Sequence, residues 1–255
     1  MIPKRIHYCW FGRNPKPKLA EKCIKSWQKY CPDYEIIEWN EDNFDIEQAP
    51  LYVKQAYDAK KWAFVTDYVR LWAMTTFGGI YMDTDVEVLK PLDSFLTHQA
   101  FSGFENETRI PTGIMACEKG FPLFLEFLRY YDTARFVDEY GKTSTVTNVK
   151  IMTDICQKKG LQLNNTLQTV EGLTVYPKDV FCPFDWDYGR VKKTKRTATI
   201  HWFAGSWLSD EQKKNHKKAV KAKRKDRWIL LRRRTMLRIL GVKGYERLKK
   251  IMKGR

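Results

Sequence analysis

The chain has 255 residues and a formal charge of +16, from 46 Lys and Arg against 30 Asp and Glu. With 43% hydrophobic and 14% aromatic residues it can bury a substantial core, which excludes wholesale disorder, and no apolar run reaches the ~18 residues of a membrane span. The basic excess is local: residues 213–255 hold 19 Lys or Arg and only Asp226 and Glu246 as acids, which leaves residues 1–212 near neutral at −1.

Ile6-His7-Tyr8-Cys9-Trp10-Phe11, ending at Gly12, is an aromatic and β-branched run that predicts a buried strand. Asn14-Pro15-Lys16-Pro17 breaks the chain, and Leu19, Cys23, Ile24 and Trp27 then recur at helical spacing up to Cys31-Pro32-Asp33. Residues 34–39 return as a strand. This β-α-β opening predicts an α/β domain with a mostly parallel central sheet. A second helix is predicted over about 60–77, with Trp62, Val65, Val69, Trp72, Ala73 and Thr76 along one side. It stops at Gly78-Gly79, where a positive φ has no steric cost. Ile80-Tyr81-Met82 runs on as a strand and delivers Asp83-Thr84-Asp85 at its carboxyl end, the side where open α/β sheets bind ligands. Residues 121–131 read as a helix and 173–177 as a strand. The aromatic-rich segment His201-Trp202-Phe203-Ala204-Gly205-Ser206-Trp207 precedes the tail.

In the tail, Trp228, Ile229, Leu230, Leu231, Met236, Leu237, Ile239, Leu240, Val242, Leu248, Ile251 and Met252 recur among the cations at roughly helical spacing. A basic amphipathic helix suits an anionic membrane surface, where each cation contributes ~1 kcal/mol before screening. The interleaved aliphatics favour that surface over nucleic acid, since phosphate binding alone does not require them. A helix packed on the body with its cations solvated is the other reading. Six cysteines form no C-x-x-C pair, and the first residues lack the apolar stretch of an export signal. Reduced core thiols in a cytoplasmic protein are therefore expected.

Asp83 and Asp85 are carboxylates one residue apart at a strand end. Such a pair can hold a hard divalent cation, which binds phosphate oxygens and neutralises a leaving pyrophosphate as a Lewis acid. Asp67 and Arg70, three residues apart, share one helix face, and the Gly-Gly stop lets that face and the Asp-x-Asp turn line one pocket. Haloacid dehalogenase-type phosphatases also follow an apolar strand with Asp-x-Asp. They want Thr or Val two residues after the second Asp, and Glu87 stands there instead.

Ile6-His7-Tyr8-Cys9-Trp10-Phe11-Gly12, Thr66-Asp67-Tyr68-Val69-Arg70 and Gly78-Gly79-Ile80-Tyr81-Met82-Asp83-Thr84-Asp85, in that order, resemble the DXD-motif glycosyltransferases. These are the capsular polysaccharide synthesis transferases and the yeast initiating mannosyltransferase; the large clostridial glucosylating toxins are more distant. The resemblance covers roughly residues 2–207. It implies a GT-A type nucleotide-sugar-binding fold over residues 1–212, followed by the helical tail 213–255. It also implies a nucleotide-diphosphate sugar donor, with a UDP-sugar ahead of a GDP-sugar, Mn²⁺ or Mg²⁺, and retention of anomeric configuration. By position, Trp10 matches the aromatic residue that stacks on the base, with Tyr8 also on the donor side. Asp67 and Arg70 match the pair that binds donor sugar hydroxyls, Asp83 the residue that contacts ribose and metal, and Asp85 the direct metal ligand. His201, Ser206 and Trp207 match the late segment that closes over the metal and β-phosphate. Glu105 and Asp187 are candidate acceptor contacts, with no base singled out. The expected acceptor is a surface polysaccharide or its lipid-linked precursor, at the inner face of the cell membrane.

Overall fold

In the computed structural model, which describes residues 1–110, 113–205 and 210–253, the first expected strand is β1 (Arg5–Cys9). It is shorter than the aromatic run: Trp10 still donates its N–H to Trp39 O at 2.9 Å, and the chain then turns at Gly12 with φ 89°. α1 (Lys18–Tyr30) buries Ala20, Cys23 and Trp27, and β2 (Glu35–Trp39) pairs in parallel with β1. The predicted β-α-β opening is therefore present. α2 (Leu51–Asp58) has eight residues, too few to show a period, and was not expected.

α3 (Trp62–Phe77) begins two residues later than its pattern suggests, because Lys60 adopts φ 53°. It stops as predicted. Gly78 has φ 69° and donates its N–H to Met74 O at 2.8 Å, and Gly79 has φ 122°. The chain then enters β3 (Gly79–Met82), which lies parallel to β1. His7 locks this junction from the neighbouring strand. Its Nδ1 accepts the Trp39 indole N–H at 3.2 Å, which places its own hydrogen on Nε2, 2.8 Å from Gly78 O. Burial pushes its pKa down, so the ring is neutral.

β4 (Val86–Val88), β5 (Ala100–Gly103), β6 (Ile114–Cys117), α4 (Pro122–Thr133), α5 (Asn148–Lys158), β7 (Gln168–Val170) and β8 (Leu173–Tyr176) follow. α6 (Lys178–Phe181), β9 (Phe184–Asp185), β10 (Arg190–Val191), β11 (Thr199–His201) and α7 (Asp210–Lys253) complete the described elements. The main sheet has the order β2-β1-β3-β6-β5-β8-β7. β1, β2, β3, β5 and β8 run one way and β6 and β7 the other, so the sheet is mixed but mostly parallel. Alternation along β3 sends Ile80 and Met82 into the apolar cluster with Trp27 of α1. Tyr81 goes to the opposite cluster, with Val65 and Val69 of α3. All six cysteines are buried free thiols.

The chain divides into two compact units, Met1–Phe184 with Val191–Trp207, and Asp185–Arg190 with Leu208–Arg255. In the smaller unit α7 consists of two helical stretches meeting at Gly241, which has φ 62° and ψ 176°. At 100° per residue Trp228, Ile229, Met236, Ile239 and Leu240 fall within an arc of roughly 120°, interrupted by Arg232. Leu230 and Leu231 lie outside that arc, so the apolar face is broad rather than a clean stripe. Among the described residues no helix is long and apolar enough to cross a membrane.

At Gly79 a Cβ would stand 2.9 Å from Arg5 O and 3.1 Å from His7 Nε2, at a φ that L side chains rarely adopt. Gly79→Ala is expected to cost about 2–4 kcal/mol, read as a lower urea midpoint with unchanged slope. A midpoint equal to wild type would refute the tight β1–β3 junction.

Candidate active site at the carboxyl end of β3

The Asp83-Thr84-Asp85 turn joins β3 to β4. Asp83 donates its N–H to Gly113 O at 2.8 Å, and the main-chain oxygen of Asp85 accepts the Trp202 N–H at 3.0 Å. β11 pairs antiparallel with β4 in the register Thr199↔Val88, Ile200↔Glu87, His201↔Val86. That register carries His201 back to the turn, with Nε2 3.2 Å from Asp85 Oδ1 and 3.9 Å from Asp83 Oδ2.

Each carboxylate is held by its other oxygen. Asp83 Oδ1 accepts the Tyr81 hydroxyl at 2.8 Å and lies 3.3 Å from Arg70 Nη1. Asp85 Oδ2 accepts the Ala204 N–H at 2.6 Å. These outer contacts fix the rotation of both groups, so Asp83 Oδ2, Asp85 Oδ1 and the His201 ring converge. One ligand atom from each residue lies within 4.8 Å of the others. Two carboxylate oxygens and one imidazole suit Mn²⁺ or Mg²⁺, so the donor set fits the expected cation.

The electrostatics show what this place demands. Burial alone would lower the His201 pKa, but the charge and hydrogen bond of Asp85 push it well above its usual value. Burial would raise Asp85, yet His201 and the Ala204 N–H hold it below the usual carboxylate range. The two side chains thus stabilise positive charge between them.

Arg70 ties the helix to the turn. Its guanidinium lies 3.3 Å from both Asp67 and Asp83 and 4.7 Å from the Tyr81 ring centroid, and its Nε donates to Thr66 O at 3.2 Å. Asp67 in turn meets the start of α5: its Oδ2 accepts the Asn148 N–H at 3.4 Å, and its main-chain oxygen accepts the Asn148 amide at 3.0 Å. The Asn148 Oδ1 is buried without a hydrogen-bond partner. Burial pushes the Asp67 carboxyl up to about 6 despite Arg70 beside it.

Trp10 lies just past the carboxyl end of β1, next to parallel β3, and is half-buried. Its indole N–H donates to Asn14 O at 2.6 Å, and Lys16 Nζ lies 5.8 Å from its ring centroid. Tyr8 is buried against Trp27, and its hydroxyl donates to Glu38, which also pairs with Lys16 at 2.7 Å. Burial pushes the Glu105 carboxyl up, with His201 acting against that rise, which places it within electrostatic reach of the imidazole. Asp187 belongs to the smaller unit and pairs there with Lys223 at 2.5 Å. Ser206 and Trp207 lie outside the described residues.

Sequence reasoning missed Tyr81, the Ala204 N–H, Asn148 and the role of Gly113. Thr147, whose side chain accepts the Lys150 N–H, was a legible helix start just before Asn148. A Cβ at Gly113 would stand 2.7 Å from the His201 ring and 3.3 Å from Asp83 Oδ2. Only glycine leaves that space open.

With this geometry in place, residues 17–102 match a family model described as "Glycosyltransferase sugar-binding region containing DXD motif". The matched stretch includes Asp67, Arg70, Asp83 and Asp85. The chain is 31% identical over 143 residues to inositol phosphoceramide mannosyltransferase 3 of Schizosaccharomyces pombe, covering 54% of this chain and 39% of that one. It is 27% identical over 143 residues to mannosyl phosphorylinositol ceramide synthase CSH1 of Saccharomyces cerevisiae, covering 51% and 35%. The chain spans well under half the length of these curated relatives. Over residues 17–102, a third of its length, the chain is thus similar to a glycosyltransferase sugar-binding region, and Asp83-Thr84-Asp85 stands in that stretch as its Asp-x-Asp sequence. Among solved structures, the PaToxG glycosyltransferase superposes with a TM-score of 0.49 at 18% identity, covering 62% of this chain and 70% of that one.

Gly113→Ala should displace His201 or Asp83, so that any Mn²⁺ affinity the wild-type chain shows in calorimetric titration falls at least about tenfold, with the circular dichroism unchanged. Unaltered affinity would remove Gly113 from the site. The raised Asp67 pKa makes a second prediction. The folded chain holds a proton there that the unfolded chain releases near its usual 3.8, so the associated stability is complete below about pH 4 and lost as pH rises through about 6. Asp67→Asn should flatten the fall in thermal midpoint across that window. A parallel pH profile in the variant would contradict the burial argument.

Proposed function

We propose that the protein is a metal-dependent retaining glycosyltransferase, moving a sugar from a nucleotide-diphosphate sugar to a polysaccharide or lipid-linked oligosaccharide acceptor. The observation that carries this reading is the pinned geometry of Asp83, Asp85 and His201 at the DXD motif. These three residues would hold Mn²⁺ or Mg²⁺. When bound, that cation stabilises charge on the departing diphosphate as a Lewis acid.

The protein's own groups do the rest. Tyr81, Arg70 and the Ala204 N–H hold the carboxylates in place before substrate arrives, so little reorganisation is needed at the moment of reaction. Asp67 and the unpartnered Asn148 Oδ1 offer hydrogen-bond acceptors beside the Arg70 donors, a set that suits sugar hydroxyls. The half-buried indole of Trp10 offers a face for the base, with Tyr8 buttressing the Glu38–Lys16 pair next to it. Ser206 and Trp207 are assigned to the closing segment, and Glu105 to the acceptor side. A UDP-sugar is favoured over a GDP-sugar, and retention rests on the family resemblance. Within residues 1–212, the larger unit, Met1–Phe184 with Val191–Trp207, constitutes the catalytic domain. The basic tail 213–255 holds it on an anionic membrane surface, at the inner face of the cell membrane, where a capsule-type polymer or its lipid-linked precursor is extended.

A thermal-shift screen of UDP- and GDP-sugars with Mn²⁺ tests the donor assignment, since a ligand that binds the folded state raises the midpoint by mass action. Asp85→Ala is expected to reduce transfer at least ~10²-fold with the fold retained. Near-normal transfer by this variant would remove the metal role from Asp85.

A further inference from the structure

The smaller unit contains a cleft of about 290 Å³ lined by Tyr188, Arg190, Arg224, Arg227, Trp228 and Leu231. The loop 185–190 is tied to the helix at several points beside this cleft. The Asp187 carboxylate lies 2.5 Å from Lys223 Nζ, and Trp186 stacks on His216 with ring centroids 3.9 Å apart. Arg224 donates through Nε and Nη2 to the main-chain oxygens of Tyr188 and Gly189, at 2.5 and 2.6 Å. Gly189 permits this close approach: its φ is 55°, and a Cβ there would stand 3.1 Å from Val220.

The consequence is an unusual concentration of charge. The guanidinium carbons of Arg190 and Arg227 lie 5.3 and 5.2 Å from the centroid of the same Tyr188 ring, and both side chains line the same cleft. Arg190 forms a loose ion pair with Asp185 at 3.8 Å, and its Nε is buried without a hydrogen-bond partner. Among the described residues Arg227 has no carboxylate partner. Asp185 offsets the charge of Arg190 alone, so the pair of guanidiniums keeps a net positive charge, and their donor forks match phosphate oxygens. Hydrocarbon adjoins this charge. Trp228 and Leu231 line the cleft, and these two with Ile229 and Leu230 are all about half exposed. A phosphate group beside a hydrocarbon surface is the chemistry of a phospholipid at the membrane interface, where an indole ring is also favoured.

We propose that this cleft is a binding site for the phosphate head group of an anionic membrane phospholipid. It holds the tail by a specific contact in addition to its charge density. The proposal rests on the membrane reading of the tail given above.

Co-sedimentation of the full chain with phosphatidylcholine vesicles, with and without phosphatidylglycerol, tests it. The double variant Arg190→Lys with Arg227→Lys keeps the net charge and removes both forks. It should bind the phosphatidylglycerol vesicles at least about fivefold more weakly than wild type, with equal helix content by circular dichroism. The single variant Arg227→Lys, on the helix alone, should lose part of that and guards against a misfolded loop. Wild-type binding by the double variant would overturn the cleft while leaving membrane attachment by the tail intact. Failure of the wild-type chain to bind these vesicles would overturn the membrane reading itself. A phosphate-induced rise in thermal midpoint without vesicles, lost in the double variant, would assign the cleft to a free phosphate and overturn the lipid assignment.

Discussion

A guanidinium buried in a protein interior is tolerated only when carboxylates and carbonyls surround it, and Arg70 has both. Asp67 from its own helix and Asp83 from the next strand each lie 3.3 Å away, and Thr66 O takes its Nε–H. This one charge therefore couples α3 to the DXD turn. It also fixes which oxygen of Asp83 is left to face His201, so the geometry of the candidate metal centre depends on it. The Gly78-Gly79 reversal makes the arrangement possible, because β3 returns directly beside β1 and turns Tyr81 toward α3.

The site gathers several groups that its own fold does not satisfy. Asp67 is held with a carboxyl pushed up to about 6, Asn148 Oδ1 is buried and unpaired, and buried Asp85 relies on His201 and the Ala204 N–H to keep its pKa low. Each is the kind of local defect that concentrates where ligands bind, because the missing partner is supplied from outside. A sugar hydroxyl for Asn148 and Asp67, and a divalent cation for the three converging ligands, would answer these defects in kind.

The +16 charge of the chain has a comparable two-part structure. The body is near neutral, and the cations gather on a helix whose apolar side chains are exposed. Where residues 185–190 fold onto that helix, charge is no longer merely dense but shaped, with Arg190 and Arg227 set against one ring. Exposed aliphatics and oriented guanidiniums together describe an amphiphilic partner better than either does alone.

Much of the scaffold was legible residue by residue. The β-α-β opening, the helix ending at Gly78 and the strand that delivers Asp83 and Asp85 all depend on contacts within one element or at its ends. The i, i+3 pairing of Asp67 with Arg70 could be read from the sequence for the same reason. α2 was too short to show a period. Asn148 meets Asp67 across 81 positions and Ala204 meets Asp85 across 119, distances over which sequence pattern carries no register. The placement of His201 rests on the pairing of two three-residue strands, β4 and β11, in which a slip of one residue would turn the imidazole to the other face. Residue identity and local pattern were enough to specify the candidate ligand types, the turn that presents two of them and the stop that aims it. That His201, Tyr81 and Ala204 close around that turn came from long-range packing, because strands so short contain no information about their partner, and the register is set by the whole sheet and its two apolar faces.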